Sequence, residues 1–210
     1  MAEATFRKST FREYFESLVV AVILALFVRT FGFQAFKIPT GSMEPNLLVG
    51  DHLLVNKFIF GPVLGAAERA VLPMRDVERG EVLVFKFPEQ PDRDFIKRVI
   101  GLPGETLELR DQTVYINGAP LVEPYAHYQL PRLPQGPGGG EDGDVRRKYG
   151  PVTIPAGHYF MMGDNRDDSQ DSRYWGFLPA TYVKGRALFI YWSFGGPQGT
   201  RWSRLLHQIH

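Results

Sequence analysis

Between Leu18 and Val28 every residue is apolar, and the pattern runs on through Phe31, Gly32, Phe33, Ala35 and Phe36 with Arg29 as the single charge. Such a stretch has to be covered, by lipid or by protein, because its hydration is unfavourable. A helix needs roughly 20 mostly apolar residues to cross a bilayer, and Leu18–Phe36 just reaches that length. A cleaved signal peptide also starts basic and continues apolar, but it ends at a small-x-small site. Here the bulky Phe31-Gly32-Phe33-Gln34-Ala35-Phe36-Lys37 follows instead. A buried core helix is the other alternative, since only eleven of the apolar residues are unbroken. The length favours a membrane anchor over 17–36, with Arg29 reaching toward one interface. Arg7, Lys8 and Arg12 precede it and Lys37 follows, a mild positive-inside bias that leaves 1–16 in the cytoplasm and 37–210 outside.

Beyond Phe36 the pattern changes to short runs rich in Val, Ile and Phe, punctuated by Gly, Pro, Asn and Asp. Strands are expected at Asp51–Val55, Glu81–Phe87, Asp94–Ile100, Thr106–Arg110, Thr113–Ile116, Val152–Ile154, Tyr159–Met162 and Ala187–Phe194. Asp111-Gln112 joins the fourth and fifth as a hairpin, and Asn117-Gly118 turns the chain again. Strands do not alternate with helices, so the expected fold is mostly β, an antiparallel sheet domain behind a single N-terminal transmembrane helix. Leu130–Pro151, rich in Gly, Pro and charge, reads as a long exposed loop. Trp202–His210 reads as a short amphipathic turn without assigned function. A net charge of +1 offers no footprint for nucleic acid. The absence of cysteine excludes a disulfide framework, a thiolate zinc site and a cysteine nucleophile.

Three clusters carry candidate chemistry. In Pro39-Thr40-Gly41-Ser42-Met43-Glu44-Pro45 the serine sits on a tight turn, where glycine lets another backbone approach closely; most serines in such turns are simply turn residues. In Asp94–Gly104, a strand over Phe95–Ile100 puts Phe95, Lys97 and Val99 on one face and Ile96, Arg98 and Ile100 on the other. A lysine buried between Phe and Val is hard to keep charged, which makes it a candidate general base; an edge-strand lysine guarding against aggregation is the bland alternative. In 163–173, Gly-Asp-Asn-Arg-Asp-Asp-Ser-Gln-Asp-Ser-Arg, so many hydrogen-bonding side chains need one another if they leave water. The ligand order of an EF-hand loop is absent, and the two arginines point to a salt-bridged knot. His52, His127, His158, His207 and His210 have no neighbourhood resembling a Ser-His-Asp order.

Taken in order behind an apolar segment, PTGSMEP, FIKRVIGLPG and GDNRDDSQDSR resemble the signature boxes of bacterial type I signal peptidases, and Arg79–Lys86 is similar to a further strand of that family. The resemblance runs from the apolar segment to about Phe194. It implies a membrane-bound serine endopeptidase that cuts signal peptides from exported preproteins after small-x-small motifs. Ser42 would be the nucleophile and Lys97 its general base. The Ser42 amide and the Thr40 hydroxyl would form the oxyanion hole. Ser169 would orient the Lys97 amine, Asp171 would anchor that loop against Arg173, and Asp164 with Arg98 would form a supporting ion pair. Phe36, Ile38, Phe95 and Ile96 would line the substrate pockets. No metal or organic cofactor is implied. The implied partners are preprotein signal peptides, the lipid bilayer and the protein-export machinery, at the bacterial plasma membrane with the domain on its extracytoplasmic side. Two features depart from familiar members, one span rather than two and a compact domain, and Phe95 sits where a tyrosine is often found. A membrane-tethered domain without catalysis, and a self-cleaving Ser/Lys regulator, are the competing classes. The second would need a DNA-binding helical module.

Overall fold

A computed structural model describes residues 10–27, 32–57, 75–129, 144–195 and 199–210. Its first element is a helix, α1 (Thr10–Phe27). Leu18, Val20, Ile23, Leu24 and Leu26 are each more than half exposed on it. Among the described residues no helix is long and apolar enough to cross a membrane.

The expected anchor therefore needs a correction at its C-terminal end. Phe33–Lys37 is not a continuation of the helix but a strand, β1, paired antiparallel with β2 (Asp51–Asn56) from Phe33 opposite Asn56 to Lys37 opposite His52. Phe36 finds its cover in protein, packed against a core cluster that includes Ile38, Met43, Leu53 and Ile190.

The remaining strands are β3 (Val82–Phe87), β4 (Gln90–Gly101), β5 (Thr106–Arg110), β6 (Thr113–Ile116), β7 (Ala119–Pro120), β8 (Lys148–Thr153), β9 (His158–Met162), β10 (Leu178–Pro179), β11 (Val183–Ser193) and β12 (His207–Gln208). A short helix, α2 (Ser172–Trp175), follows β9. The larger sheet runs β1-β2-β11-β3-β4-β9-β10, with β12 added to β11; the smaller runs β7-β6-β5-β8. Every pairing between these strands is antiparallel, so the expected β architecture holds.

Of the loop expected over Leu130–Pro151, residues 130–143 lie outside the described ones, but its end is strand. β8 pairs with β5, and Tyr149 and Val152 pack against the apolar interior of the small sheet. Gly150 permits this: its φ is +79°, and a Cβ there would stand 2.6 Å from the Leu107 carbonyl oxygen. Pro151 is tolerated because β8 is an edge strand, where a missing N–H breaks no interior ladder. The C-terminal segment is also built in, with Ile209 buried and Arg204 bound to the buried Asp51 carboxylate at 2.6 Å.

Candidate active site

β4 brings the second and third clusters together. Its outer half, Gln90–Asp94, is exposed, whereas Lys97–Gly101 is buried between β3 and β9. The alternation of a strand then sends Lys97 and Arg98 to opposite faces. On one face lie Phe95 and Val99, in the cluster with Leu83, Phe85 and Met161; on the other lies Ile96, packed against the cluster that holds Met43 and Ile38.

Ser42 sits in a single 3₁₀ turn, Gly41–Met43, entered from Thr40 in an extended conformation. Met43 is fully buried and fixes the turn to the core, while Thr40 stays exposed. The turn is closed by Glu44 N–H donating to Gly41 O at 3.0 Å, and Leu47 N–H donating to Met43 O at 2.9 Å. Ser42 Oγ meets Lys97 Nζ at 2.6 Å. The amine also donates to Ile96 O at 3.1 Å and lies 5.4 Å from the centre of the Phe95 ring.

Lys97 is 4% exposed. Burial pushes its ammonium down to about 8, against the pull of the Asp171 and Asp164 carboxylates and with the help of Arg173. The contact to Ser42 works with either proton arrangement: an ammonium donates to the hydroxyl oxygen, and a neutral amine accepts from the O–H.

Arg98 grips Asp164 with two parallel bonds, Nε to Oδ1 at 2.8 Å and Nη2 to Oδ2 at 2.7 Å. Its remaining donor reaches Gly80 O at 2.6 Å and His210 O at 2.5 Å, and its plane covers Tyr125 at 4.1 Å. This bidentate geometry is the arrangement that guanidinium favours. Asp164 also accepts from Asn46 Nδ2 at 2.8 Å, which ties the Ser42 turn to the third cluster.

Asp171 accepts from Gly163 N–H at 3.0 Å and from Arg173 Nε and Nη2, both at 2.8 Å. Burial works to raise its carboxyl, but Arg173 and the Gly163 amide outweigh it and hold it below the usual carboxylate range. Ser169 Oγ is buried close enough to Asp171 to add to that effect, yet its geometry falls short of a hydrogen bond, and Lys97 Nζ is satisfied elsewhere. Gly163 has to be glycine, since a Cβ would stand 2.2 Å from Ser169 Oγ and 2.4 Å from Ser42 O.

Phe36, Ile38 and Ile96 share one cluster, in which Ile38 is only 2% exposed. Phe95 belongs to the other face and stacks on Phe87 with ring centres 4.2 Å apart. Among the histidines, His52 packs edge-on against Tyr191, His158 Nδ1 contacts Ala156 O, and His127 joins the third cluster through its backbone. Among the described residues no three His, Asp and Glu side chains converge as a metal would require.

The sequence reading missed a strap, residues 121–129, laid across the third cluster. Glu123 accepts from Arg166 Nη1 at 2.9 Å and Nη2 at 2.5 Å, and Tyr128 takes a further bond from Arg166 at 3.0 Å. The Tyr125 carbonyl accepts from Asn46 Nδ2 at 2.8 Å. His127 N–H donates to Asp164 O, and Arg166 N–H donates to His127 O. The one signal in the sequence was the unpaired hydrogen-bonding capacity of the third cluster, which demanded partners without saying where they lie.

A family model described as signal peptidase, peptidase S26, matches residues 11–192. A signal peptidase I of Pseudomonas aeruginosa is 37% identical over 210 residues, with 89% of this chain and 74% of that one covered. A signal peptidase I of Aquifex aeolicus is 33% identical, with 87% and 84% covered. A solved signal peptidase I from Enterococcus faecalis V583 is 32% identical over 53% of this chain and 97% of that chain, at a TM-score of 0.42.

Proposed function

Because the chain belongs to the signal peptidase family, peptidase S26, and is a serine peptidase, we propose that it cuts signal peptides from exported preproteins with Ser42 as nucleophile and Lys97 as general base. The observation that carries this reading is the 2.6 Å contact between Ser42 Oγ and a buried Lys97 Nζ. A lysine with a pKa near 8 is neutral in a useful fraction of molecules, so it can take the Ser42 proton as Oγ attacks the scissile carbonyl. The negative charge then develops on the carbonyl oxygen, within reach of the Ser42 amide and the Thr40 hydroxyl as donors. The Lys97 ammonium returns its proton to the leaving amine, which departs with the new N-terminus. The neutral amine next takes a proton from water as its oxygen attacks the acyl-Ser42 ester, and Lys97 returns that proton to Ser42 Oγ as the ester bond breaks and the signal peptide is released.

The substrate enters as an extended strand beside the active-site strand, with its main chain paired and its small side chains read after a small-x-small pattern. Phe36 and Ile96, partly exposed over the cluster that holds Ile38, shape the apolar surface for those side chains, and Phe95 flanks the Lys97 amine from the other face. Asp164 with Arg98, and Asp171 with Arg173, keep the third cluster against Lys97 and Ser42.

The apolar half of α1 is the core of a single membrane anchor, with the residues before Ser17 in the cytoplasm and the β domain, from β1 onward, on the extracytoplasmic face of the bacterial plasma membrane. Apolar side chains exposed all around a helix suit lipid rather than a protein groove. The preprotein would reach the site there as it leaves the export machinery.

Incubation of the detergent-solubilised protein with a preprotein, followed by mass measurement of the products, tests the reading. Wild type should cut after an alanine-x-alanine sequence and Ser42→Ala should not cut at all. Equal cleavage by the two proteins would overturn it.

A further inference from the structure

The side chain of Asn165 is 3% exposed and has no part in the chemistry described so far. It reaches across 124 positions of sequence to the Ser42 turn, where its Nδ2 donates to Gly41 O at 3.1 Å. Its own backbone N–H donates to Ser42 O, also at 3.1 Å. The carbonyls on both sides of the Ser42 α-carbon are therefore held by one residue. Asn165 is itself held from behind. Its backbone bridges to His127, its Oδ1 accepts from Gln129 Nε2 at 3.1 Å, and its carbonyl accepts from Asp168 N–H at 3.2 Å. The Gln129 bond sets the amide so that the NH₂ faces Gly41, and Gly163 leaves room for the approach.

The consequence follows from the planarity of the peptide. Gly41 C=O and Ser42 N–H belong to one rigid trans unit and point in opposite directions, so fixing the carbonyl fixes the aim of the N–H. A 3₁₀ turn of three residues has only the Glu44 bond to hold that plane by itself. We propose that Asn165 is a positioning residue of the oxyanion hole, aiming the Ser42 N–H by holding the Gly41 and Ser42 carbonyls, with Gln129 orienting its amide. This rests on the reading of the Ser42 amide as an oxyanion donor. A donor in the wrong direction loses part of the factor of roughly 10²–10³ that such a donor supplies to kcat.

Asn165→Asp keeps the shape but sets a carboxylate oxygen against Gly41 O. It should lower kcat by about 100-fold, Asn165→Ala by about tenfold and Gln129→Leu by a few-fold, each with KM close to wild type. A peptide boronic acid supplies the separate readout, because its tetrahedral adduct places an oxygen where the oxyanion forms. Its inhibition constant should weaken in step with kcat across the three variants, while the midpoint of the pH profile stays in place. A general loosening of the fold would instead lower the active fraction and leave both the boronate affinity and the per-site kcat of the remainder unchanged. That result, or a wild-type kcat for Asn165→Asp, overturns the proposal. Wild type against Ser42→Ala, run alongside, separates the two failures. Cleavage by Ser42→Ala removes the peptidase reading itself, whereas a dead Ser42→Ala beside a fully active Asn165→Asp removes only the role of Asn165.

Discussion

Around residues 163–173, Asp164, Arg166, Asp171 and Arg173 are all at most 4% exposed, and each is closed by bidentate or backbone bonds. The small sheet, β5 to β8, is filled by Leu107, Leu109, Val114, Ile116 and Ile154 and keeps its charges outside. Both regions are well buried, but by different means. Apolar packing is favourable in many arrangements and so fixes orientation weakly. A buried charge must meet one partner at one angle, and that pair contributes little net stability after desolvation. The molecule has placed the expensive kind of contact where Ser42 Oγ and Lys97 Nζ lie 2.6 Å apart, and the inexpensive kind where a sheet only has to cohere.

The sharpest way to break this contrast is at Lys97, where the largest effect is expected. Lys97→Arg keeps the charge but cannot give up its proton, so cleavage should fall by at least ~10²–10⁴-fold in single turnover. Lys97→Met should be equally inactive, yet more stable at pH 7 by about 1–3 kcal/mol, since it removes a desolvated ammonium. Wild-type activity should rise with pH through an apparent pKa near 8. Stability follows the same group. Above about 8 the folded chain has released a proton that the unfolded chain holds until about pH 10.4, so the folded state gains across that window. Thermal melts at pH 7 and pH 9.5 should show this gain in wild type and not in Lys97→Met. An active arginine variant would mean that another group is the base.

Next in size are the two interiors themselves. Asp164→Ala leaves Arg98 buried and unpaired, a loss of about 3–5 kcal/mol. Leu107→Ala in the small sheet should cost about 2–5 kcal/mol through its cavity. The stability losses are similar, and only activity tells them apart: the folded fraction of Leu107→Ala should keep its kcat, while that of Asp164→Ala should not. The double change Arg98→Met with Asp164→Leu should recover much of the stability without the activity. Urea melts and active-site titration on the same samples decide it, and full activity of the double variant would show that the pair positions nothing.

What was legible in the sequence divides along the same line. Local signals read well. Asp111 and Gln112 adopt φ of 40° and 64°, and Asn117 and Gly118 adopt 50° and 82°, so both turns form where the residues predicted them. The period of two placed Lys97 on the side of Phe95, whose ring centre lies 5.4 Å from the amine. Where a residue's cover could come from lipid or from protein, composition was silent, and Phe33–Phe36 joined a sheet rather than the helix. The Gly-Pro pair in β8 hid a strand because only its partner Leu107 explains the bulge. Hydrogen bonds between distant segments were beyond reach altogether: Glu123 lies 43 positions from Arg166, and Asn46 lies 118 from Asp164. The third cluster announced a need for partners, and three-dimensional proximity supplied them.

The smallest effect is expected where an ion pair exists without burial. Lys184 and Asp94 approach to 2.7 Å across the exposed end of β4, with side chains 30% and 27% accessible. In distance this pair matches Arg98–Asp164, also 2.7 Å but with side chains at most 3% accessible. If distance alone set the strength of an ion pair, the two would be equivalent. Water and salt decide otherwise, because an exposed pair gains little Coulomb energy over its hydrated state and is screened within about 10 Å at 0.1 M salt. Lys184→Met should therefore change stability by less than about 1 kcal/mol, with the difference shrinking further in 1 M salt. Its kcat should match wild type, since Asp94 belongs to the exposed half of β4 rather than to the buried run from Lys97. A loss from Lys184→Met as large as that of Asp164→Ala, and insensitive to salt, would mean that burial is not what separates the two regions.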